Sequence, residues 1–373
     1  MFSLFSRTHR HTTSEVALIF DIGSGSVGAA LALISPSHKP ILLATERSEL
    51  LFQETLRAKR LQPLMLRALA QATLSLLAEG IPRAGLNARH LKISGALYVL
   101  AAPWCSSHTK TLSLTQKDPL TITDEVISEL LRHEDEQSEK APDEEEVSAE
   151  RLPPADKRFE RLLLSARLNG YETGAPRGKE ARAALFSFFE SRAPDALLQA
   201  IADTVAHFVH PRRARFHSYS LASFSALHEL FPDAEDFLCA DIGGEMTEAI
   251  IVKKRVLQDV FSFPFGRNHL IRALAEETGS SPSAATGLLA LAREKDIQEK
   301  HAERVGPLLH SFRDRWLKEL AASAARFSKE PFLPSVVYLS ADTDCAELFA
   351  DFIRARGFES FAPGNLASTV TIL

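Results

Sequence analysis

Apolar residues along this chain follow two periods. Short, nearly continuous apolar runs at 16–20 and 237–242 have the length and composition of buried strands, and each leads into Asp-Ile-Gly. After the first run come Asp21-Ile22-Gly23-Ser24-Gly25-Ser26, a second apolar run at 28–34, a Ser-Pro-Ser-His-Lys-Pro turn and a third run at 41–44. After the second come Asp241-Ile242-Gly243-Gly244-Glu245-Met246-Thr247, apolar residues to Val252, a Lys253-Lys254-Arg255 turn and a further strand at 256–261. The helical period takes over elsewhere. Leu61, Met65, Leu69, Ala72, Leu76 and Leu77 predict an amphipathic helix over 61–79 that stops at Gly80. Helices are also predicted over 121–131, 159–168, 193–210, most of 269–327 and 346–356, with strands over 90–102 and 336–340. Strands interleaved with helices define an α/β chain.

The two Asp-Ile-Gly segments begin 220 residues apart, at 21 and 241, an internal repeat that points to two related domains facing each other. Both hairpins suit a phosphate tail. Glycine lets a ligand approach the backbone, successive N–H groups form an anion nest, and Ser24, Ser26 and Thr247 add hydroxyl donors. An aspartate at the end of a buried strand calls for a partner, and Asp21 and Asp241 would hold a divalent cation through water. The structural alternative stays open: glycines that only turn tightly, and aspartates that cap strands. A third reading comes from Gly23-x-Gly25-x-x-Gly28, which spells a dinucleotide fingerprint with Glu46 about where a ribose-binding acid belongs. It requires a helix opening in the glycines, whereas 29–34 is a short apolar run cut off by the proline-rich turn. Gly174–Lys179 is one residue short of a P-loop and lacks its hydroxyl residue.

The paired hairpins resemble the phosphate motifs of the actin-like ATPase superfamily. The block from Ala102-Pro103-Trp104 to Leu168-Asn169-Gly170-Tyr171 resembles the extra subdomain of FtsA-type cell-division proteins and PilM-type pilus-assembly proteins. The resemblance implies an actin-like (duplicated ribonuclease-H-like) two-domain fold with a nucleotide cleft and an inserted subdomain in the first domain. The expected layout is a tail at 1–14, a first domain at 15–102 and 177–235, an insert at 103–176 with an acidic loop at 134–150, and a second domain at 236–345. Within that second domain lies a helical subdomain at 267–330, and 346–373 returns to the first domain. By the same resemblance, Asp21 and Asp241 would be the Mg-associated catalytic pair. Gly23, Ser24, Gly25, Ser26, Gly243, Gly244, Thr247, Gly266, Ser340 and Ala341 would hold ATP.

Four departures bear on activity. Gly28 replaces a frequent lysine, Glu245 replaces a third glycine, and Ser340-Ala341-Asp342-Thr343 replaces the Gly-Gly on which adenosine rests. Residues 218–227 hold neither Glu nor Gln to orient a water, and Tyr219 stands near that position. The implied function is a nucleotide-binding cytoplasmic scaffold, at most a slow ATPase, that self-assembles and recruits protein partners at the inner membrane, in a division ring or a pilus platform. The alternatives are an NAD(P)-dependent enzyme on the glycine fingerprint and a phosphotransferase or ATPase of the same superfamily.

Composition narrows the field further. With 43 basic and 48 acidic residues among 373, the net charge of −5 carries no broad basic field for nucleic acid. Cys105, Cys239 and Cys345 form no Cys-x-x-Cys pair, as expected in a reducing compartment. His207, His210 and His217 gather no Cys or carboxylate to complete a metal set. Phe2, Leu4 and Phe5 make an apolar start too short for a signal peptide or a spanning helix, and the last thirteen residues carry no Lys or Arg to favour a membrane surface. No transmembrane segment is expected, and membrane attachment would come through a partner or the N-terminal tail. The run 134–150, nine acids in 17 residues, reads as a solvated insertion.

Overall fold

The computed structural model describes residues 14–36, 38–87, 91–138, 157–293, 299–327, 333–355, 358 and 368–373. Residues 1–13 of the tail expected at 1–14, the acidic run beyond Ser138, Gly357 and residues 361–367 lie outside the described residues.

Among the described residues, two five-stranded mixed sheets and one four-stranded antiparallel sheet make up the β-structure. The first sheet holds β1 (Glu15–Ile22), β2 (Ser26–Ser35), β3 (His38–Glu49), β4 (Ile93–Leu100) and β9 (Ala214–Ser218), in the order β3-β2-β1-β4-β9. The second holds β10 (Phe237–Ile242), β11 (Thr247–Lys253), β12 (Val256–Phe263), β13 (Val336–Ala341) and β14 (Thr369–Ile372), in the order β12-β11-β10-β13-β14. In both, the first three strands form antiparallel hairpins and the last two add in parallel. The repeat seen in the sequence is therefore a repeat of topology.

Helices cover the sheets as the apolar spacing requires. α1 (Ala58–Ser75) runs through a π-helical turn at Leu76–Gly80 into the short α2 (Ile81–Arg83). Its Leu61, Met65, Leu69, Ala72 and Leu76 are buried with α4 (Asp195–Ala206) against Leu18, Phe20 and Leu31 of the first sheet. Ala58–Arg83, with mean hydropathy 1.3, is long and apolar enough to cross a membrane, but this apolar stripe is spent on that core. α6 (Arg267–Thr278), α7 (Pro282–Arg293), α8 (Glu299–Phe327) and α9 (Ala346–Arg354) belong with the second sheet. Phe349 of α9 meets Trp316 and Phe312 of α8 edge to face within that core.

The third sheet, β5-β8-β6-β7, comprises β5 (Ser106–Thr121), β6 (Lys157–Leu168), β7 (Tyr171–Glu172) and β8 (Glu180–Ala193), with α3 (Asp124–Ser138) on one face. It enters the chain between β4 and β9. One side buries Phe186, Phe188 and Ala166 with Ile127 of α3; the other adds Leu164 and Phe189 to a cluster formed by α5 (Tyr219–Leu230) and the second sheet.

Three expectations are corrected. The helix expected over 159–168 is strand β6, because the segment is buried on both faces and bulges after Arg158 and Leu163 break its alternation. The insert does not end at 176, since β8 is its central strand and carries it to Ala193. Within the segment expected to return to the first domain, the described elements lie with the second sheet: α9 packs in the second core, and β14 pairs with β13 through Val336↔Thr369 to Leu339↔Ile372.

Candidate functional site

Both hairpins point their tips at the same place. In each, the strand register sets the same two positions opposite one another: Asp21 faces Gly28 and Ile22 faces Val27, while Asp241 faces Glu248 and Ile242 faces Thr247. Gly23 N–H donates to the Ser26 carbonyl at 3.1 Å and Gly243 N–H to the Met246 carbonyl at 2.9 Å, so the two turns close alike. A cavity of about 330 Å³ lies where they meet. It is lined by Asp21, Gly23, Ser24, Gly25, Ser26, Asp241, Gly243, Gly244, Ser340 and Ala341, all named from the sequence, and by Arg47, Tyr219 and Asp342.

Thr247 and Gly266 are placed differently. The buried Thr247 hydroxyl donates to the Phe265 carbonyl at 2.6 Å and accepts from the Trp316 indole N–H at 3.1 Å, both within the second domain. Gly266 lies under the second tip, where a Cβ would come within 2.4 Å of the Gly243 carbonyl oxygen. The backbone N–H groups of Arg267 and Asn268, at the start of α6, donate to the Gly243 and Gly244 carbonyls at 3.0 and 2.8 Å. This helix N-terminus is already occupied by the protein's own acceptors.

Four functional neighbours were not legible as such in the sequence. Arg47 of β3 stands directly across from Gly28, donates to Asp21 Oδ2 at 2.9 Å and to Ser26 Oγ at 2.6 Å, and fills the space that a side chain at 28 would take. Glu248 is buried and accepts from the Ala102 backbone N–H at 2.7 Å and from the Ser220 hydroxyl, joining β11 to the first half of the molecule. Trp104 and Trp316, the chain's two tryptophans, are both fully buried and each donates its indole N–H to one hairpin: Trp104 to the Gly23 carbonyl at 2.8 Å, Trp316 to Thr247. The signal for Arg47 was available in principle, because β3 extends the hairpin and an arginine opposite a strand glycine has room to lie flat.

Burial raises the Asp241 carboxyl to about 7; hydrogen bonds from Ser340 and Tyr219 oppose the rise, and the negative charges of Asp21 and Glu248 add to it. Burial also pushes up Glu248, against hydrogen bonds from Ser220 and Ala102, and lifts the Tyr219 phenol well above its usual range. Asp342 is raised by burial as well, with Arg267 opposing. Arg267 is itself paired with Asp344 through its Nε at 2.9 Å. The cavity is rich in carboxyl groups that resist ionising together. Such a site disfavours an added polyanion unless it brings its own cation.

Between the tips the two hairpins touch. A Cβ on Gly25 would come within 2.9 Å of the Gly244 Cα, and one on Gly244 within 2.5 Å of the Gly25 Cα, so the two backbones are in contact. The Ser24 hydroxyl accepts from the backbone N–H groups of Glu245 and Met246 at 3.0 and 3.3 Å, the place a phosphate oxygen would need. A cation at Asp21 would compete with Arg47. Among the described residues, no group of three or more His, Cys, Asp or Glu is arranged to hold a metal ion. In this arrangement the Ser24 hydroxyl and the Gly25–Gly244 contact take up the space directly between the tips.

The dinucleotide reading is overturned by the fold. The residues after Gly25 form strand β2, antiparallel to β1, so no helix N-terminus follows the glycines, and Glu46 lies on β3 in an ion pair with Arg83 at 2.9 Å.

No protein-family model matches this chain, and no curated protein matches it. Among solved structures, it is similar to a chain of the PilM-PilN type IV pilus biogenesis complex, with 14% identity over 97% of this chain and 88% of that one, and a TM-score of 0.58. It also aligns with the ethanolamine utilization protein EutJ from Carboxydothermus hydrogenoformans, at 11% identity over 96% and 84% of the two chains and TM-score 0.44. A Bacteroides thetaiotaomicron protein of actin-like ATPase fold and unknown function aligns at 8% identity over 96% and 90%, TM-score 0.40. The likeness is one of fold: an α/β architecture of mixed sheets resembling the actin-like superfamily.

Proposed function

We propose that this chain is a cytoplasmic actin-like scaffold, a duplicated ribonuclease-H-like fold that recruits membrane-associated protein partners in pilus assembly, as a PilM-type protein, with little or no ATP hydrolysis. The observation that carries this reading is the four-stranded sheet set between β4 and β9. It stands where the sequence resembles the insert of PilM and FtsA-type proteins, in a fold that aligns with a chain of the PilM-PilN complex over nearly its whole length. Self-assembly and a role in a division ring belong to the same reading with FtsA-type proteins as the guide.

Catalysis is disfavoured by the cleft itself. The position near which hydrolytic relatives orient water holds Tyr219, whose raised phenol pKa makes it a poor base at neutral pH, and Asp241 beside it is half-protonated near pH 7. A phosphotransferase or fast ATPase on this fold would need an aligned base and an open phosphate site.

Two measurements test the proposal. Deleting the gene should abolish surface pili while cells divide normally; filamentous cells with intact pili would move the assignment to division, and neither defect would overturn the scaffold reading in both forms. Purified protein should turn over ATP at well below the roughly 1–100 per second of working kinases, and turnover in that range would overturn the non-catalytic reading.

A further inference from the structure

We infer that this cleft is held shut by the chain's own residues, with the Ser24 hydroxyl standing in for a phosphate oxygen, so that the scaffold keeps its closed form without nucleotide. Ser24 is 2% exposed, and its oxygen bridges two successive backbone N–H groups of the opposite hairpin, at Glu245 and Met246. A single oxygen taking two main-chain donors at a glycine turn is the way such a nest binds an anion. Here the oxygen comes from the facing domain, 221 and 222 residues away along the chain. Beside it, Gly25 and Gly244 touch backbone to backbone, which only residues without a Cβ permit.

Three further straps cross the same divide. Arg272 of α6 donates from Nη1 to the Gln53 carbonyl at 3.0 Å and lies over the Phe52 ring at 5.6 Å, and the same guanidinium donates to the Glu245 carboxylate. Glu248 takes the Ala102 N–H. The inserted sheet reaches across as well: the Thr109 hydroxyl donates to the Gln258 carbonyl of β12, and Leu164 and Phe189 pack with Leu257 and Val260. A ligand closes a cleft only through contacts that the open form lacks, and here the protein supplies those contacts itself. An entering phosphate would have to displace Ser24, push Gly25 away from Gly244 and add negative charge beside Asp241.

The full-length chain is titrated with ATP and Mg, and separately with pyrophosphate as a bare phosphate-tail probe, while the thermal midpoint and amide exchange at Glu245 and Met246 are followed. In the wild type neither probe should move the midpoint up to millimolar concentration. Ser24→Ala should speed exchange of those two amides by about tenfold, since each loses a buried acceptor. Gly25→Ala, whose Cβ would lie 2.9 Å from the Gly244 Cα, should do the same by forcing the tips apart. A pyrophosphate response that appears only in Ser24→Ala supports the inference, because the freed donors then take the anion. A midpoint rise with ATP and Mg in the wild type, or unchanged exchange in Ser24→Ala, overturns it. Should the variants not fold, the wild-type titration alone decides. The inference is independent of the pathway: a nucleotide response would leave the pilus phenotype, and the scaffold reading with it, standing.

Discussion

The two hairpins share strand order, register and turn closure, yet they settle their charge in opposite ways. Across the first, the row of facing residues is Asp21, Gly28 and Arg47: an acid, a blank and a base, with acid and base in direct contact. Across the second, the equivalent row is Asp241, Glu248 and Ser262: two acids and a hydroxyl. The first row is neutral by pairing and half-exposed. In the second, Glu248 is buried and Asp241 partly so, and both carboxyl groups are pushed toward protonation. A duplicated backbone therefore fixes where a side chain stands but not what it does there; the residue two strands away decides that. Glu245 makes the same point at the tip. It is the counterpart of Gly25, and its carboxylate turns inward to Arg272 instead of leaving a bare turn.

The sharpest way to break this asymmetry is Glu245→Gly, which gives the second tip a glycine where the first has Gly25. It strips the partner from Arg272, whose side chain is 17% exposed, and should cost about 3–5 kcal/mol as an uncompensated buried charge, read as a lower urea midpoint.

Asp241→Asn comes next, and its effect depends on pH. A carboxyl raised from 3.8 to about 7 on folding adds stability that is fully present below pH 4 and disappears as pH rises through 7, because the folded state binds the extra proton. The wild type should therefore lose stability relative to the variant over that window, the variant ending about 2–4 kcal/mol ahead at pH 8. Parallel curves for the two proteins between pH 4 and 8 would show that Asp241 ionises normally.

Smaller again is Arg47→Ala. This pair is about half-exposed on both sides, so the loss should be about 0.2–1 kcal/mol and should shrink at high salt. Smallest is the exchange Gly28→Lys with Arg47→Ala, which moves the cation one strand inward and should return stability to within about 0.5 kcal/mol of the wild type. A larger loss would mean that β3 must supply the charge.

Much of this was legible from the chain. The Asp-Ile-Gly repeat located both hairpins, and ten of the twelve residues named for the site line one cavity, because strand ends and glycine turns are local signals. The insert was harder to read. Leu162, Leu163, Leu164, Ala166 and Leu168 have helix-forming composition, and the three leucines in a row, with cores on both faces, confine the period of two to the short stretch Leu164, Ala166 and Leu168. The tip-to-tip contact was invisible for another reason. Each glycine reads as room for a ligand, and only the position of the opposite hairpin shows that the room is taken by the other glycine. Arg47 and Glu248 were hidden likewise, since their meaning lies in cross-strand neighbours and not in sequence neighbours.

The burial of Trp104 behind Gly23 and of Trp316 behind Thr247 means that the chain carries two intrinsic fluorophores, each wired to one half of the cleft. Blue-shifted emission, as a dry indole gives, would report both hairpins seated. Replacing Trp104 with phenylalanine leaves a reporter for the second alone, and Trp316→Phe leaves one for the first. Opening of either half would then be timed optically, in unlabelled protein, as its indole meets water.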